Sequence, residues 1–513
     1  MSSKLNIAFV HPNLGIGGAE RLVIDAAVSL KKRGHRVVIY TMHHDLSHCF
    51  EETRDGTLEI RVVKSWLIPS SINGRFRIFC TVLRSLALAQ SLAGDGNTYD
   101  VIFADQLSAP IPLLKYTRAH ILFYCHFPDY LLAPHSTVSQ KLYRLPFDLL
   151  EEFTTGEADE ILVNSRFTQG TFREAFPHLS RIPKVLMPAL NLQKYDAPVD
   201  NEDPSLSMLQ TTKQLVLSIN RFERKKDIGL AIDAFSVFMS RMHHNNTSGA
   251  QESNKPLVGS EKSGPTSSSE QFCLVVAGGW DPRASENVEH LKELYAHAKK
   301  LGLRAQVLAP QGISAENRRL LPEDAVRTPT IFDMLGGDTA GSDPSSTSST
   351  SNSSDKLASV DVLFLPSFTE NQRTHLLSVA RCVLYTPTNE HLGIVPLEAM
   401  YTKTPVIAVN SGGPRETIQN GKTGYLCEPD RQEFAMALAK VLTMDDAKWQ
   451  AMADAGHERV KDEFSLDKFG EKLEYIMLET VLHPTSSSYV FGFLMTLFII
   501  FTAGFTILLA YWL

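Results

Sequence analysis

Short, fully apolar runs recur along this chain, each followed by a turn of Gly or polar residues and then a stretch with helical spacing. This alternation constrains the fold more than any other feature, because parallel strands joined through helices are buried on both faces and read as continuous apolar runs. A first series comprises Lys4–Val10, Arg36–Thr41, Asp100–Ala104, Ile121–Cys125 and Glu160–Val163. Its first two members flank the Gly-rich loop LGIGGAER and a helix predicted from Leu22, Ile24, Ala26, Ala27, Val28 and Leu30, closed by Gly34 and His35. The polar segment Gln193–Lys213, with Pro198 and Pro204, reads as a linker. A second series follows: strands over Gln214–Ile219, Phe272–Ala277, Val360–Leu365, Cys382–Tyr385 and Pro405–Asn410, and helices over Ile228–Met239 and Glu370–Ala380. Each half therefore reads as an α/β, doubly wound parallel sheet.

A chain of 513 residues is too long for one core, which agrees with two domains and appendages. A net charge of −7, with basic residues clustered only at Arg221–Lys226, excludes the basic face of a nucleic-acid binder. The six cysteines, Cys49, Cys80, Cys125, Cys273, Cys382 and Cys427, form no C-x-x-C pair and no metal-ligand spacing with His. Reduced thiols in a cytosol-like compartment are expected. The opening MSSKLNIAFVHP has too short an apolar run for a signal peptide. Tyr489–Leu513 carries no charge and is long enough to span a bilayer as a helix, with Tyr489, Tyr511 and Trp512 near its ends. It reads as a single-pass tail anchor that leaves the preceding residues in the cytosol, the competing reading being a buried core helix. Asn73–Leu92, with Arg75, Arg77 and Arg84, reads either as a helix packed on its own sheet or as one lying on a membrane surface. Arg241–Gln271 and Gly336–Lys356, rich in Ser, Thr, Asn and Gly, are predicted to be disordered insertions.

Candidate chemistry lies at the predicted strand ends, where open α/β sheets bind ligands. Asn389–Met400 (NEHLGIVPLEAM) sets Glu390 and Glu398 in a Glu-x7-Glu spacing around Gly393 and a helix start near Pro396. A helix N-terminus offers free N–H groups and a positive dipole end to a diphosphate, leaving the two carboxylates for sugar hydroxyls. The stretch also reads as an ordinary loop with two solvated carboxylates. In the loop NRFERKKD, Arg221 and Lys226 are candidate phosphate ligands, Arg by its fork and Lys as a point charge; a solvated basic turn is the alternative. Gly15, Gly17 and Gly18 approximate a dinucleotide fingerprint but miss its last glycine, so a tight strand-to-helix turn reads equally well. His126 follows an apolar strand, as a site residue or a structural histidine.

Taken in order, GIGGAER (15–21), CHFPD around His126, NRFERKKD (220–227), AGGWD (277–281), NEHLGIVPLEAM (389–400) and SGGP (411–414) resemble the retaining GT-B glycosyltransferases of the Glu-x7-Glu family. The wording GIGGAERLVIDAA, YCHFPD, SINRFERKKDI, FTENQRTHLL and TNEHLGIVPLEAM is similar to the dolichol-pathway mannosyltransferases of asparagine-linked glycosylation that add the second and third mannoses. The resemblance implies two Rossmann-like domains facing a cleft: an acceptor-side domain over 1–192, a linker over 193–213, a donor domain over 214–465, a helix over 466–482 returning to the first domain, and the anchor over 489–513. It implies GDP-mannose as donor, a dolichyl-diphosphate-linked mannosyl-di-N-acetylglucosamine as acceptor, and both α-1,3 and α-1,6 linkages. The membrane, on the cytosolic face of the endoplasmic reticulum, and other early dolichol-pathway glycosyltransferases are the implied partners.

By the same resemblance Arg221 and Lys226 hold the diphosphate, with Lys225 the substitute for Lys226. Glu390 binds mannose hydroxyls, the N–H groups of His391, Gly393, Ile394 and Val395 face sugar and phosphate, and Glu398 binds the ribose. Gly15, Gly17 and Gly18 bring backbone to the reaction centre, with His126 across the cleft. Leu392 stands where an aromatic is usual, Trp280 where Tyr is common and Asp227 where Gly or Asn is common, so donor packing differs in detail. No metal is expected, as the chain lacks an Asp-x-Asp pair, and no other cofactor. The rival readings are a sugar-nucleotide epimerase, another lipid-linked hexosyltransferase of the same family, and a non-enzymatic membrane scaffold with this fold.

Overall fold

The computed structural model describes residues 4–64, 68–72, 76–133, 137–249, 271–326 and 357–484. The expected anchor over 489–513, and the parts of the expected insertions at 250–270 and 336–356, lie outside these residues. Among the described residues no helix is long and apolar enough to cross a membrane.

Two compact units emerge, one formed by the chain up to Leu190 together with residues from Glu463 onward, the other by Asn191–Asp462. The first holds a seven-stranded sheet of β1 (Asn6–Asn13), β2 (Arg36–His43), β3 (Glu59–Val62), β4 (Val101–Asp105), β5 (His120–Cys125), β6 (Glu160–Val163) and β7 (Lys184–Val185), in the order β3-β2-β1-β4-β5-β6-β7. The second holds β8 (Gln214–Ile219), β9 (Phe272–Gly278), β10 (Ala305–Val307), β11 (Val362–Pro366), β12 (Ala380–Tyr385), β13 (Val406–Val409) and β14 (Gly424–Cys427), in the order β10-β11-β9-β8-β12-β13-β14. Every pairing is parallel. Strand order reverses between β1 and β4 in one sheet and between β8 and β12 in the other. Such switch points open a crevice at the strands' carboxyl ends, because the connecting helices leave to opposite faces.

The central strands are apolar because helices cover both faces; Ile7, Phe9, Phe103, Leu122, Val216, Val276 and Leu384, for example, are fully buried. In the first unit the helix Leu466–Val481 supplies Phe469, Leu473, Ile476 and Met477 to the same core as Phe9, Leu22 and Ile24. Arg33 bonds Glu474 at 3.1 Å and His35 Nε2 lies 3.0 Å from the same carboxylate.

Two sequence expectations are corrected. Residues 193–213 are not a free linker: they carry a helix at Gln193–Asp196 and a 3-10 turn at Pro204–Met208, and they pack into the second unit through buried Leu206 and Leu209 and bonds of Asp200 and Asp203 with Asn371. The polar composition hid those two leucines. Residues 241–249 are not an irregular insertion, since the helix expected to stop at Met239 continues to Gly249.

Candidate active site

In the second unit the loops after β8 and β12 meet at the switch point. Thr386 Oγ1 donates to the Lys226 carbonyl at 2.8 Å, and Lys226 Nζ reaches Glu390 Oε2 at 2.5 Å. Lys226 is largely covered, whereas Lys225 points outward and pairs with Glu223 at 3.1 Å, so the Lys-Lys register resolves to Lys226 as the residue facing Glu390. Arg221 is exposed and also pairs with Glu223, at 2.9 Å. Burial, the Glu390 charge and a bond to Glu390 together hold the Tyr385 phenol well above its usual range.

Glu390 is fixed by a glycine clamp. Gly413 N–H donates to the Glu390 carbonyl at 2.8 Å, and Asn389 N–H donates to Ser411 Oγ at 3.0 Å. Gly412 has φ +60°, and a Cβ there would stand 2.3 Å from the Glu390 carbonyl oxygen, so backbone lies against backbone where no side chain fits. Gly393, at φ +80°, turns the chain into the helix Ile394–Tyr401. No side chain caps that helix, so its first N–H groups remain available beside Glu390. Along this stretch His391 and Val395 are half-buried and Ile394 is exposed.

Glu398 differs from its expected surroundings. It is 3 % exposed, accepts from the Tyr195 hydroxyl at 2.7 Å and pairs with Arg373. Nothing in the sequence marks Tyr195 or Arg373 as partners of that carboxylate, since neither is near it along the chain.

In the first unit, the ends of three adjacent strands carry one buried cluster. Asp105 closes β4; His11 Nδ1 lies 2.7 Å from its Oδ2 and His126 Nε2 lies 2.7 Å from its Oδ1. His11 Nε2 also faces Glu20, at 3.7 Å, from the first turn of the helix Gly18–Lys32. Asn164, beyond β6, donates to the His126 carbonyl at 2.9 Å. Burial alone lowers the His11 pKa, but bonds to Asp105 and Glu20 outweigh it and carry it to about 9. Burial raises that of Asp105, yet the two histidines bring it to about 2. Gly17 precedes the helix in extended backbone and leaves room for the Glu20 carboxylate. A Cβ at Gly18 would meet nothing within 4 Å, and one at Gly15 only Asn13 Nδ2 at 3.9 Å.

The structure thus brings together Lys226, Glu390, Gly393 and the following helix start in one unit, and the Gly15–Gly18 loop, His11, Glu20, Asp105 and His126 in the other. It turns Arg221 and Lys225 toward Glu223. His11, Glu20, Tyr195, Arg373 and Tyr385 are not marked as site residues by the sequence. The one available signal for His11 and Asp105 was a polar residue ending a wholly apolar strand.

The chain matches the family described as Glycosyltransferase Family 4 over residues 16–184 and that described as Glycosyl transferases group 1 over residues 338–459. It is 43 % identical over 481 residues to the alpha-1,3/1,6-mannosyltransferase ALG2 of Rhizomucor pusillus, covering 93 % of this chain and 92 % of the relative. It is 40 % identical to the Dictyostelium discoideum ALG2, covering 92 % and 98 %, and 39 % identical to that of Homo sapiens, covering 92 % and 95 %. Among solved structures, sucrose-phosphate synthase from Thermosynechococcus elongatus superposes with a TM-score of 0.59 at 18 % identity, covering 93 % of this chain and 99 % of its own. Anabaena Alr3699/HepE in complex with UDP and glucose gives 0.56 at 16 % identity, covering 92 % and 99 %. These two likenesses concern the fold alone: two parallel sheets in two units, the GT-B arrangement.

Proposed function

The chain belongs to the family of alpha-1,3/1,6-mannosyltransferases, and from that premise we propose that it transfers mannose from GDP-mannose to a dolichyl-diphosphate-linked mannosyl-di-N-acetylglucosamine, forming one α-1,3 and one α-1,6 linkage. The observation that carries the donor side is the pairing of Lys226 with Glu390 beside the uncapped helix start after Gly393. A diphosphate leaving group develops charge as the glycosidic bond breaks, and a fixed ammonium and oriented N–H groups stabilise that charge more than the ground state. Lys226 and the N–H groups of Ile394 and Val395 take the diphosphate, with Arg221 reaching it by swinging away from Glu223. Glu390, held by its glycine clamp, accepts from mannose hydroxyls. Glu398 accepts from the ribose at the edge of its contacts with Tyr195 and Arg373. Within the first unit, His126 and the Gly15–Gly18 loop are the acceptor-side candidates.

The leaving phosphate takes the acceptor's proton in a front-face attack that retains configuration, and residues 489–513 anchor the enzyme to the endoplasmic reticulum membrane, where the lipid acceptor resides. The uncharged composition of that segment supports the anchor.

The test is reconstitution of the pure full chain with a synthetic lipid-linked acceptor. Two mannoses added in sequence from GDP-mannose, and none of the corresponding sugars from UDP-glucose or UDP-N-acetylglucosamine, are expected. A product that stops at one mannose overturns the dual linkage, and wild-type transfer by Glu390→Ala overturns the assignment of the site.

A further inference from the structure

The cluster at the ends of β1, β4 and β5 is more than a place where His126 happens to sit. Its three side chains come from three adjacent strands at the sheet's switch point, and Asp105, fully buried, faces an imidazole on each side at 2.7 Å. His11 is itself fully buried, while the His126 side chain is 24 % exposed, so His126 alone of the three reaches outward. We propose that Asp105 and His11 are positioning residues for sugar transfer: Asp105 draws Nε2–H of His126 inward, leaving the Nδ1 lone pair to accept from a sugar hydroxyl, and His11, held on the other Asp105 oxygen, shares the Asp105 charge with His126. This rests on the reading of His126 as a sugar-facing residue.

Charge governs which ring nitrogens of an imidazole carry protons. A buried carboxylate beside a single imidazole favours its protonated form, and a protonated ring donates from both nitrogens and has no acceptor left. A second imidazole on the other carboxylate oxygen supplies the positive charge, and its elevated pKa follows from that contact and from Glu20. The other titratable groups around the cluster are Glu20, on His11; Tyr124, whose ring packs 4.8 Å from that of His126; and Cys125, which feels both Asp105 and Glu151. Burial holds the Tyr124 and Cys125 groups neutral, so they leave the balance to His11 and Glu20. The hydroxyl of Tyr124 is committed to the Leu186 carbonyl at 2.8 Å.

Two variants should shift in opposite directions. In the full-length enzyme, the acidic limb of the kcat/KM profile should move to higher pH in His11→Gln, because the whole Asp105 charge then acts on His126. It should move to lower pH in Asp105→Asn, with kcat falling more than the KM for donor changes. Shifts in the same direction, or none, overturn the proposal. Should either variant fail to fold, nitrogen-15 NMR of histidine-labelled wild-type protein decides the matter, with the His126 signals assigned by their loss in His126→Gln. At neutral pH His126 is expected to carry its proton on Nε2 alone and His11 on both nitrogens; a doubly protonated or Nδ1-protonated His126 overturns the proposal. That readout needs no turnover, so its failure is distinguishable from failure of the mannosyl-transfer reading.

Discussion

Lys225 and Lys226 are chemically identical neighbours that the fold separates completely. Lys226 turns in to Glu390 while Lys225 turns out to Glu223. Lys226→Met should therefore lower mannosyl transfer by at least about a hundredfold, the scale of losing one preorganised partner of a developing charge. Lys225→Met should change it by less than about threefold, as an exposed ion pair contributes little. Steady-state rates of the two variants make the comparison. His11 carries a second prediction at this scale, concerning stability. Its folded pKa, about 9, lies above its ordinary 6.5, so its contribution is complete below about pH 6.5 and is lost as pH rises through about 9. Asp105 is the reverse case: brought to about 2 from 3.8, its contribution is present above 3.8 and lost as pH falls through about 2. Thermal unfolding followed from about pH 6 to 9.5 should show a decline in the wild type, of order 1–3 kcal/mol, that His11→Gln lacks. The sequence displayed Glu390 and Lys226 through their motif spacing, but it had no means of displaying Tyr195 and Arg373, whose only mark is the carboxylate they meet after folding.

The four strands that sequence reading missed, β3, β7, β10 and β14, are the four edges of the two sheets. Edge strands have one neighbour and partial cover, so β3, β7 and β10 carry polar residues such as Glu59, Arg61, Lys184 and Gln306, while β14 (GYLC) is apolar but only four residues long. The inner strands β8 and β9 were legible to within a residue because both faces are buried. The loop SGGP shows the opposite limit of legibility. Its glycines were recognisable, but their purpose, to let the 411–413 backbone lie on that of Glu390 and Leu392, depends on the β13 loop meeting the β12 loop. Gly412→Ala combines an unfavourable left-handed backbone with a collision at the Glu390 carbonyl. It should destabilise the second unit by about 1–3 kcal/mol and raise the KM for the sugar nucleotide, readable from melting curves and donor titrations.

At the level of the whole molecule, the chain leaves its first unit at Leu190 and re-enters it at Glu463, so the first core is finished only by the helix Leu466–Val481. That helix packs closely on Gly18–Lys32: a Cβ at Gly470 would stand within bonding distance of Ser29 Oγ. Leu473→Ala should destabilise the first unit by about 2–5 kcal/mol, and Gly470→Val should separate the two helices. Denaturant unfolding should show these losses in the first unit's transition, with that of Asn191–Asp462 unchanged. The sequence by itself determined the inner strands of both sheets, the motif loops at their ends and the family, because strand burial and glycine-dependent turns act over a few residues and leave a local pattern. Only the tertiary structure decided the edge strands, the inclusion of residues 193–213 in the second unit, the choice of Lys226 over Lys225, and the His11–Asp105–His126 and Tyr195–Glu398–Arg373 groupings. Their members lie far apart in the chain, 94 residues between His11 and Asp105 and 203 between Tyr195 and Glu398, and only the strand order brings them within a hydrogen bond of one another.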